Sequence, residues 1–173
     1  MNPKESVKII TAITKSLDDQ FLQNATSEIS SQNKLNLYQN MDRTLKIAPH
    51  LMALDTRKKR SLFTKLRLGT LKLEIETGRW DKTNKNERFC KLCTTNKVET
   101  ETHFLIDCPA LSHVRDPLLT DILALHPYLA LQSNQRKTLK LFFNNCLDKP
   151  SLDLASTLLS TLVSSRDELM NSI

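Results

Sequence analysis

Glycine is almost missing from this chain: two in 173 residues, Gly69 and Gly78. So few, against a background rich in Leu and Ile, argues for helices joined by short polar turns. No window approaches the apolar length of a membrane span. No stretch resembles a signal peptide, since the first residues mix Lys4, Glu5 and Lys8 with single apolar positions. A reducing compartment, nuclear and/or cytoplasmic, is therefore expected. No internal repeat is visible and there is no Gly-rich phosphate loop. Asp18-Asp19 follows Ser16-Leu17 in a helical pattern, not an aromatic-x-Asp-Asp turn. Asp116-Pro117 has the wrong order for a Pro-Asp nuclease signature. These absences predict a piece that is not a catalyst by itself.

Cysteine is sparse too, at four residues, yet three of them share nineteen positions with a histidine. Cys90, Cys93, His103 and Cys108 are written C-x2-C-x9-H-x4-C. Two cysteines two residues apart form a hairpin corner that offers both thiolates to one tetrahedral ion. A His and a Cys a short loop later complete the set. A closed set of three Cys and one His holds a fold together and does not activate water, so one structural Zn2+ is expected. The alternatives are buried thiols beside a surface imidazole, or a disulfide, which a reducing compartment disfavours. Cys146, within the apolar run Leu141 to Leu147, fits a core position better than a ligand position.

Arg88, Lys91 and Lys97 flank the paired cysteines. Positive neighbours lower thiol pKa and offset the negative charge of three thiolates on a divalent ion. Thr100, Glu101 and Thr102 look like the start of a helix leading into His103 to Cys108. Phe104, Leu105 and Ile106 would cover the site and anchor it. Pro109 suits the first turn of the next helix.

The net charge is +6, and all of the excess lies in one place. From Arg57 to Lys91 there are twelve Lys or Arg against four acids, whereas the remainder carries thirteen against fifteen. A concentrated basic stretch is the footprint expected for phosphate contacts; the plain alternative is a solvated helix face. The candidate contacts are Arg57, Lys58, Lys59, Arg60, Lys65, Arg67, Arg79, Lys82, Lys85, Arg88 and Lys91. Trp80 and Phe89 bracket the loop Asp81 to Arg88, and either can stack on a base or anchor a core.

Elsewhere the periodicity is helical. Val7, Ile10, Ile13, Leu17 and Phe21 make one face of an amphipathic helix from about Pro3 into the twenties. Ser27 to Asn36 is turn-like, and a second helix is predicted over Asn33 to Ile47. Asp55 or Thr56 can cap the basic helix that follows, and Gly69 can stop it. Leu71, Leu73 and Ile75 fit a short strand or a helical turn. Pro109 to Leu125 is predicted as a helix kinked or broken at Pro117. Another starts at Ser133 or Asn134, runs through Leu147 and ends at Pro150. Ser151 would cap a last helix to about Met170. His50, His113 and His126 lack ligand-spaced neighbours and are expected at the surface or at helix ends. Three segments result: an N-terminal helical segment 1–56, a basic helix plus zinc-binding region 57–115, and C-terminal helices 116–173, packed as one unit.

Three runs carry a resemblance: Lys65 to Trp80 (KLRLGTLKLEIETGRW), Glu87 to Cys93 (ERFCKLC) and Val98 to Pro109 (VETETHFLIDCP), ending at Arg115. They resemble the C-terminal zinc-binding (CCHC) region that follows reverse transcriptase in non-LTR, LINE-type retrotransposon polyproteins. The similarity is strong over about Leu62 to Arg115 and looser from Asn33 to the end. Ser31 to Tyr38 and Leu45 to Leu51 resemble its lead-in, and Leu152 to Leu169, with Arg166, its trailing helix. The resemblance implies RNA or DNA binding near the polymerase, with reverse transcriptase or another element-encoded protein as a further partner. By position, Cys90, Cys93, His103 and Cys108 match the zinc ligands, and Lys65, Arg67, Arg79 and Arg88 match basic positions that touch phosphate. The nine residues before His103 make a larger loop than the retroviral nucleocapsid knuckle, so a knuckle-style base pocket is not implied. The chain is expected to be either a domain of a larger polyprotein or a stand-alone descendant.

The expectation is a mostly α-helical domain with a small embedded zinc loop that binds nucleic acid. The alternative is a structural or protein-interaction domain whose apolar helices, Pro3 to Phe21 and Leu152 to Met170, meet a partner. An enzyme with catalytic zinc would need an open coordination position, with Glu99 or Glu101 as its base.

Overall fold

The computed structural model describes residues 3–32, 47–132, 134–146 and 148–172; at 135, 136, 140, 144 and 145 only the backbone is described. Helices dominate, as expected. They are α1 (Pro3–Ser31), α2 (Pro49–Ala53), α3 (Arg57–Arg67), α4 (Glu74–Thr77), α5 (Ser112–Leu125), α6 (Gln135–Asn145) and α7 (Lys149–Asn171). Tight turns lie at Lys85–Glu87, Pro109–Leu111 and Pro127–Leu131, with a wider π-type turn at His103–Asp107. Among the described residues, extended pairing is limited to one antiparallel bridge, Phe89 with Val98.

The ends of α3 show how sequence sets these boundaries. Thr56 is extended, and its hydroxyl accepts from Lys59 N–H at 3.2 Å, a standard N-cap. At the other end Gly69 takes φ 61°, which leaves Thr70 N–H on Lys65 C=O at 2.8 Å and Gly69 N–H on Leu66 C=O at 3.2 Å. That pair of bonds is a Schellman closure, and a Cβ at its left-handed position is strained. Leu71 and Leu73 then turn inward in a bend and are buried, and α4 adds one helical turn. Neither expectation holds for the whole stretch: Leu71 and Leu73 lie in the bend, and only Ile75 falls in the helical turn.

The core is organised around α7. Leu152, Ala155, Leu158, Leu159 and Leu162 are buried along it, and α2, α3 and α5 pack against it. Each buried Leu contributes about 1.5–3 kcal/mol before entropy is subtracted. The same apolar cluster includes Leu54, Phe63, Phe104, Leu105, Leu111 and Ile122. The apolar residues between His103 and Cys108 are therefore part of the main core.

Several boundaries differ from expectation. α1 continues through Ser31, because Ser27 to Ser31 keeps helical hydrogen bonding where polar composition suggested a turn. The apolar face of α1 is real but buries nothing. The predicted helix Asn33 to Ile47 lies outside the described residues, apart from Ile47. Pro150 does not end a helix. It sits in the first turn of α7, where a missing N–H costs nothing. The cap is accordingly Asp148, whose carboxylate accepts from Ser151 N–H at 3.1 Å, and not Ser151 itself. α6 starts after Asn134, whose side chain accepts from Lys137 N–H at 3.0 Å. α5 runs unbroken past Pro117, which lies on its exposed side with His113, where the carbonyl that loses its donor can be hydrated. His50 is buried rather than superficial: Thr64 and Arg67 satisfy both ring nitrogens.

Candidate metal centre

A short two-stranded corner places the first two cysteines. Cys90 N–H bonds Lys97 C=O at 2.9 Å and Glu99 N–H bonds Arg88 C=O at 3.0 Å, on either side of the Phe89–Val98 bridge. Asn96, at φ 52°, turns the chain back in the left-handed conformation that Asn tolerates. Cys90 and Cys93 sit at this corner.

The other two candidates come from the π-type turn. Cys108 N–H bonds His103 C=O at 2.7 Å, a five-residue reach. In an α-helix, side chains five residues apart point about 140° apart. The wider turn brings them back onto one side, which is why His-x4-Cys works here. Phe104, Leu105 and Ile106, inside this turn, are buried and tie it to the core, as expected.

The four side chains converge. Their donor atoms all lie within 4.8 Å of one another. Cys90 Sγ to Cys108 Sγ is 3.9 Å, and Cys93 Sγ to His103 Nε2 is 3.5 Å. A tetrahedral zinc ion sets edges of about 3.8 Å between sulfurs and about 3.6 Å between sulfur and nitrogen. These four residues can therefore hold one metal ion, with Nε2 as the imidazole donor. Cys90, His103 and Cys108 are buried and Cys93 is half-buried. Burial pushes the Cys90 thiol up to about 12 and the Cys108 thiol above its ordinary value. Burial also lowers the His103 pKa, keeping the imidazole in the neutral form that ligates. Buried thiols that resist ionisation lose their protons when a cation replaces them. Cys146 is buried in the core, as expected, and its Sγ lies 3.4 Å from Phe143 C=O.

Three charged residues stand around the site: Glu99, offered from sequence only as the base of a catalytic zinc, and Arg115 and Arg166, to which sequence assigned no role at the site. Glu99 is 1% exposed, and Arg166 of α7 grips both of its oxygens, Nε to Oε1 and Nη2 to Oε2, each at 2.8 Å. Glu99 Oε2 also accepts from Glu74 N–H at 2.7 Å. So engaged, this carboxylate is not free to serve as the general base suggested for it. Arg115 is buried and donates to Cys108 C=O at 3.0 Å. Three thiolates with a divalent ion would carry one net negative charge, and Arg115 is a buried cation placed beside Cys108. The helix pattern held a signal for both arginines. Arg166 continues the inward stripe Leu152, Ala155, Leu159, Leu162, and Arg115 continues Leu111 toward Leu118 and Ile122.

The predicted phosphate contacts divide into two groups. Arg88 is spent on the fold, donating to Ile75 C=O at 2.6 Å and to Thr83 C=O at 2.9 and 3.0 Å. Arg60 donates to Leu54 C=O at 2.6 Å, and Arg67 to His50. Lys91 pairs with Glu74 at 3.0 Å, Arg79 with Glu76 at 3.2 Å and Lys59 with Asp153 at 3.9 Å. Arg57, Lys58, Lys65, Lys82 and Lys85 are exposed. Trp80 and Phe89 are both exposed, Trp80 at 69%, so neither anchors a core. Among the described residues, no helix is long and apolar enough to cross a membrane. No family model matches the chain, and neither does a curated protein or a solved structure.

Proposed function

We propose that this chain is a metal-stapled, non-catalytic nucleic-acid-binding module, of the kind that follows reverse transcriptase in non-LTR retrotransposons. RNA or DNA is its ligand, and it works in the nucleus, the cytoplasm or both. The metal is a single structural zinc ion. Three thiolates and an imidazole are soft and borderline donors that suit zinc and not magnesium or calcium, and together they fill a tetrahedron.

One observation supports nucleic acid above all. α3 opens with Arg57, Lys58, Lys59 and Arg60, adds Lys65 and Arg67, and contains no acid. A helix N-terminus carries partial positive charge, so acids belong there and cations are unfavourable. Lys59 and Arg60 are met within the fold by Asp153 and Leu54 C=O, but a sequence chosen for stability alone would not add the exposed Arg57 and Lys58 at that end. Phosphate supplies the missing negative charge. Arg57, Lys58 and Lys65 lie on one exposed face, opposite buried Phe63 and Leu66.

The test is binding of labelled RNA and duplex DNA across a salt series, with metal content measured on the same sample. The reading expects one zinc per chain and an affinity that falls steeply with salt. Salt-insensitive binding, or none, overturns it.

A second reading rests on α1. Val7, Ile10, Ile13, Leu17 and Phe21 are all more than half exposed, and an apolar stripe of this length fits a protein partner. Reverse transcriptase or another element-encoded protein is the partner that the resemblance implies. Removal of residues 3–31 would then abolish that association and leave nucleic-acid affinity unchanged.

A further inference from the structure

The exposed Trp80 stands on a turn closed by several backbone hydrogen bonds and by Arg88. Thr83 N–H closes back on Gly78 C=O at 2.9 Å, Trp80 N–H on Thr77 C=O at 2.9 Å, and Lys82 N–H on Arg79 C=O at 3.3 Å. The Arg88 guanidinium holds both ends, through Thr83 C=O and Ile75 C=O. Its stem passes so close to Gly78 that a Cβ there would lie 2.7 Å from Arg88 Cγ and 2.9 Å from the Glu74 carbonyl oxygen. Gly78 is thus fixed by close approach, and Arg88 is a positioning residue. At the tip Lys82 takes φ 56°, a left-handed conformation uncommon for a lysine.

Trp is among the most buried residue types on average. A large ring left in solvent on a pre-formed turn calls for a ligand, since rigid presentation lowers the entropy cost of binding. The chemistry beside it selects the ligand. Arg79, Lys82 and Lys85 surround Trp80 in a ten-residue stretch, Gly78 to Glu87, whose acids are Asp81 and Glu87. Cations for a backbone and a flat ring for a base are what single-strand binders combine. In a duplex the base faces are already stacked on one another, so the ring has nothing to cover.

Building on the nucleic-acid reading above, we infer that the Trp80 turn is a stacking platform for single-stranded nucleic acid. Trp80 covers the face of one unpaired base, and Lys82 and Lys85 meet the phosphates on either side. α3 supplies additional, sequence-independent charge.

Trp80 is the chain's single tryptophan, so intrinsic fluorescence reports on this site alone. The full chain, metal-loaded, is titrated with a labelled homopolymeric single strand of about a dozen nucleotides and with a duplex of equal length. Strand anisotropy and tryptophan emission are read together. The expected result is quenching by the single strand and little or none by the duplex. Trp80→Ala should weaken single-strand binding about 5- to 150-fold, the range for one lost stack, with duplex binding unchanged and Trp80→Phe restoring most of the loss. Because the ring is exposed, the variant's metal content and helicity should match the parent's. Single-strand binding without quenching, or without loss in Trp80→Ala, overturns the platform and leaves the nucleic-acid reading standing. Equal quenching by duplex overturns the single-strand assignment. Absence of any anisotropy change overturns both, and leaves the turn to a protein partner.

Discussion

The Arg166 guanidinium donates to both oxygens of the Glu99 carboxylate in a two-bond pair of 2.8 Å each, and both residues are buried. The pair joins the loop between Cys93 and His103 to the far half of α7. Glu74 joins it, with Oε1 3.9 Å from Arg166 and 3.0 Å from Lys91. Taking such charges out of water is costly, so the pair adds little net stability, but removing one partner strands the other. Glu99→Gln or Arg166→Met should each cost about 3–5 kcal/mol. The double variant should recover much of that loss. Urea unfolding of the three variants and the parent measures it, and purely additive losses would show the two residues to be independent.

The metal has its own test in a contrast between two cysteines that are equally buried. Cys108→Ser should lose the ion and, with it, cooperative unfolding, because Cys108 caps the π-type turn that runs through the core. Cys146→Ser should keep one ion per chain and lose roughly 1–3 kcal/mol from placing a hydroxyl in an apolar site. Metal analysis beside thermal melts separates the two. An ion retained by Cys108→Ser would remove this residue from the ligand set.

Spacing made the ligand set legible, because tetrahedral coordination demands short local loops whatever the surrounding fold. The helices were legible where apolar residues recur at three and four, as in α3 and α7. Polar groups engaged by partners that the sequence does not point to were not legible. Arg88 looks like a phosphate contact until Ile75 and Thr83 are seen to receive it. Glu99 looks like a base until α7 brings Arg166 to it, 67 residues on. The π-type turn at His103–Asp107 has no composition of its own, and only the need to align His103 with Cys108 explains it. Pro150 was ambiguous because proline both ends helices and begins them.

Charge reversal in α3 separates function from stability. Arg57→Glu with Lys58→Glu replaces exposed cations in the first turn with residues the helix dipole favours. Thermal stability should hold or rise slightly. Nucleic-acid affinity should collapse. If Arg57, Lys58 and Lys65 each neutralise one phosphate, removing two contacts should also flatten the duplex salt slope by about 1.8. An unchanged slope would place the contacts elsewhere in the basic segment.

The last prediction concerns acid, and it follows from the tautomer of His50. Arg67 can only donate, so the His50 Nδ1 that lies 3.1 Å from it must accept. The proton therefore sits on Nε2 and is given to Thr64 Oγ1 at 3.0 Å, while that hydroxyl donates to Arg60 C=O at 2.9 Å. A second proton on Nδ1 would break the Arg67 bond and bury two positive charges together. Burial, aided by the Arg67 charge, lowers the His50 pKa from 6.5 to about 4. In that window the unfolded chain binds the proton and the folded one does not, so stability rises with pH. The contribution is fully present above about pH 6.5 and is lost as pH falls toward 4, up to about 3 kcal/mol in all. Acid also strips metal from thiolates, so the measurement is a difference. Urea unfolding of the parent and of His50→Gln, at pH 7 and pH 5, should show the steeper loss in the parent. Equal losses would mean that the folded protein accepts the proton at His50 after all.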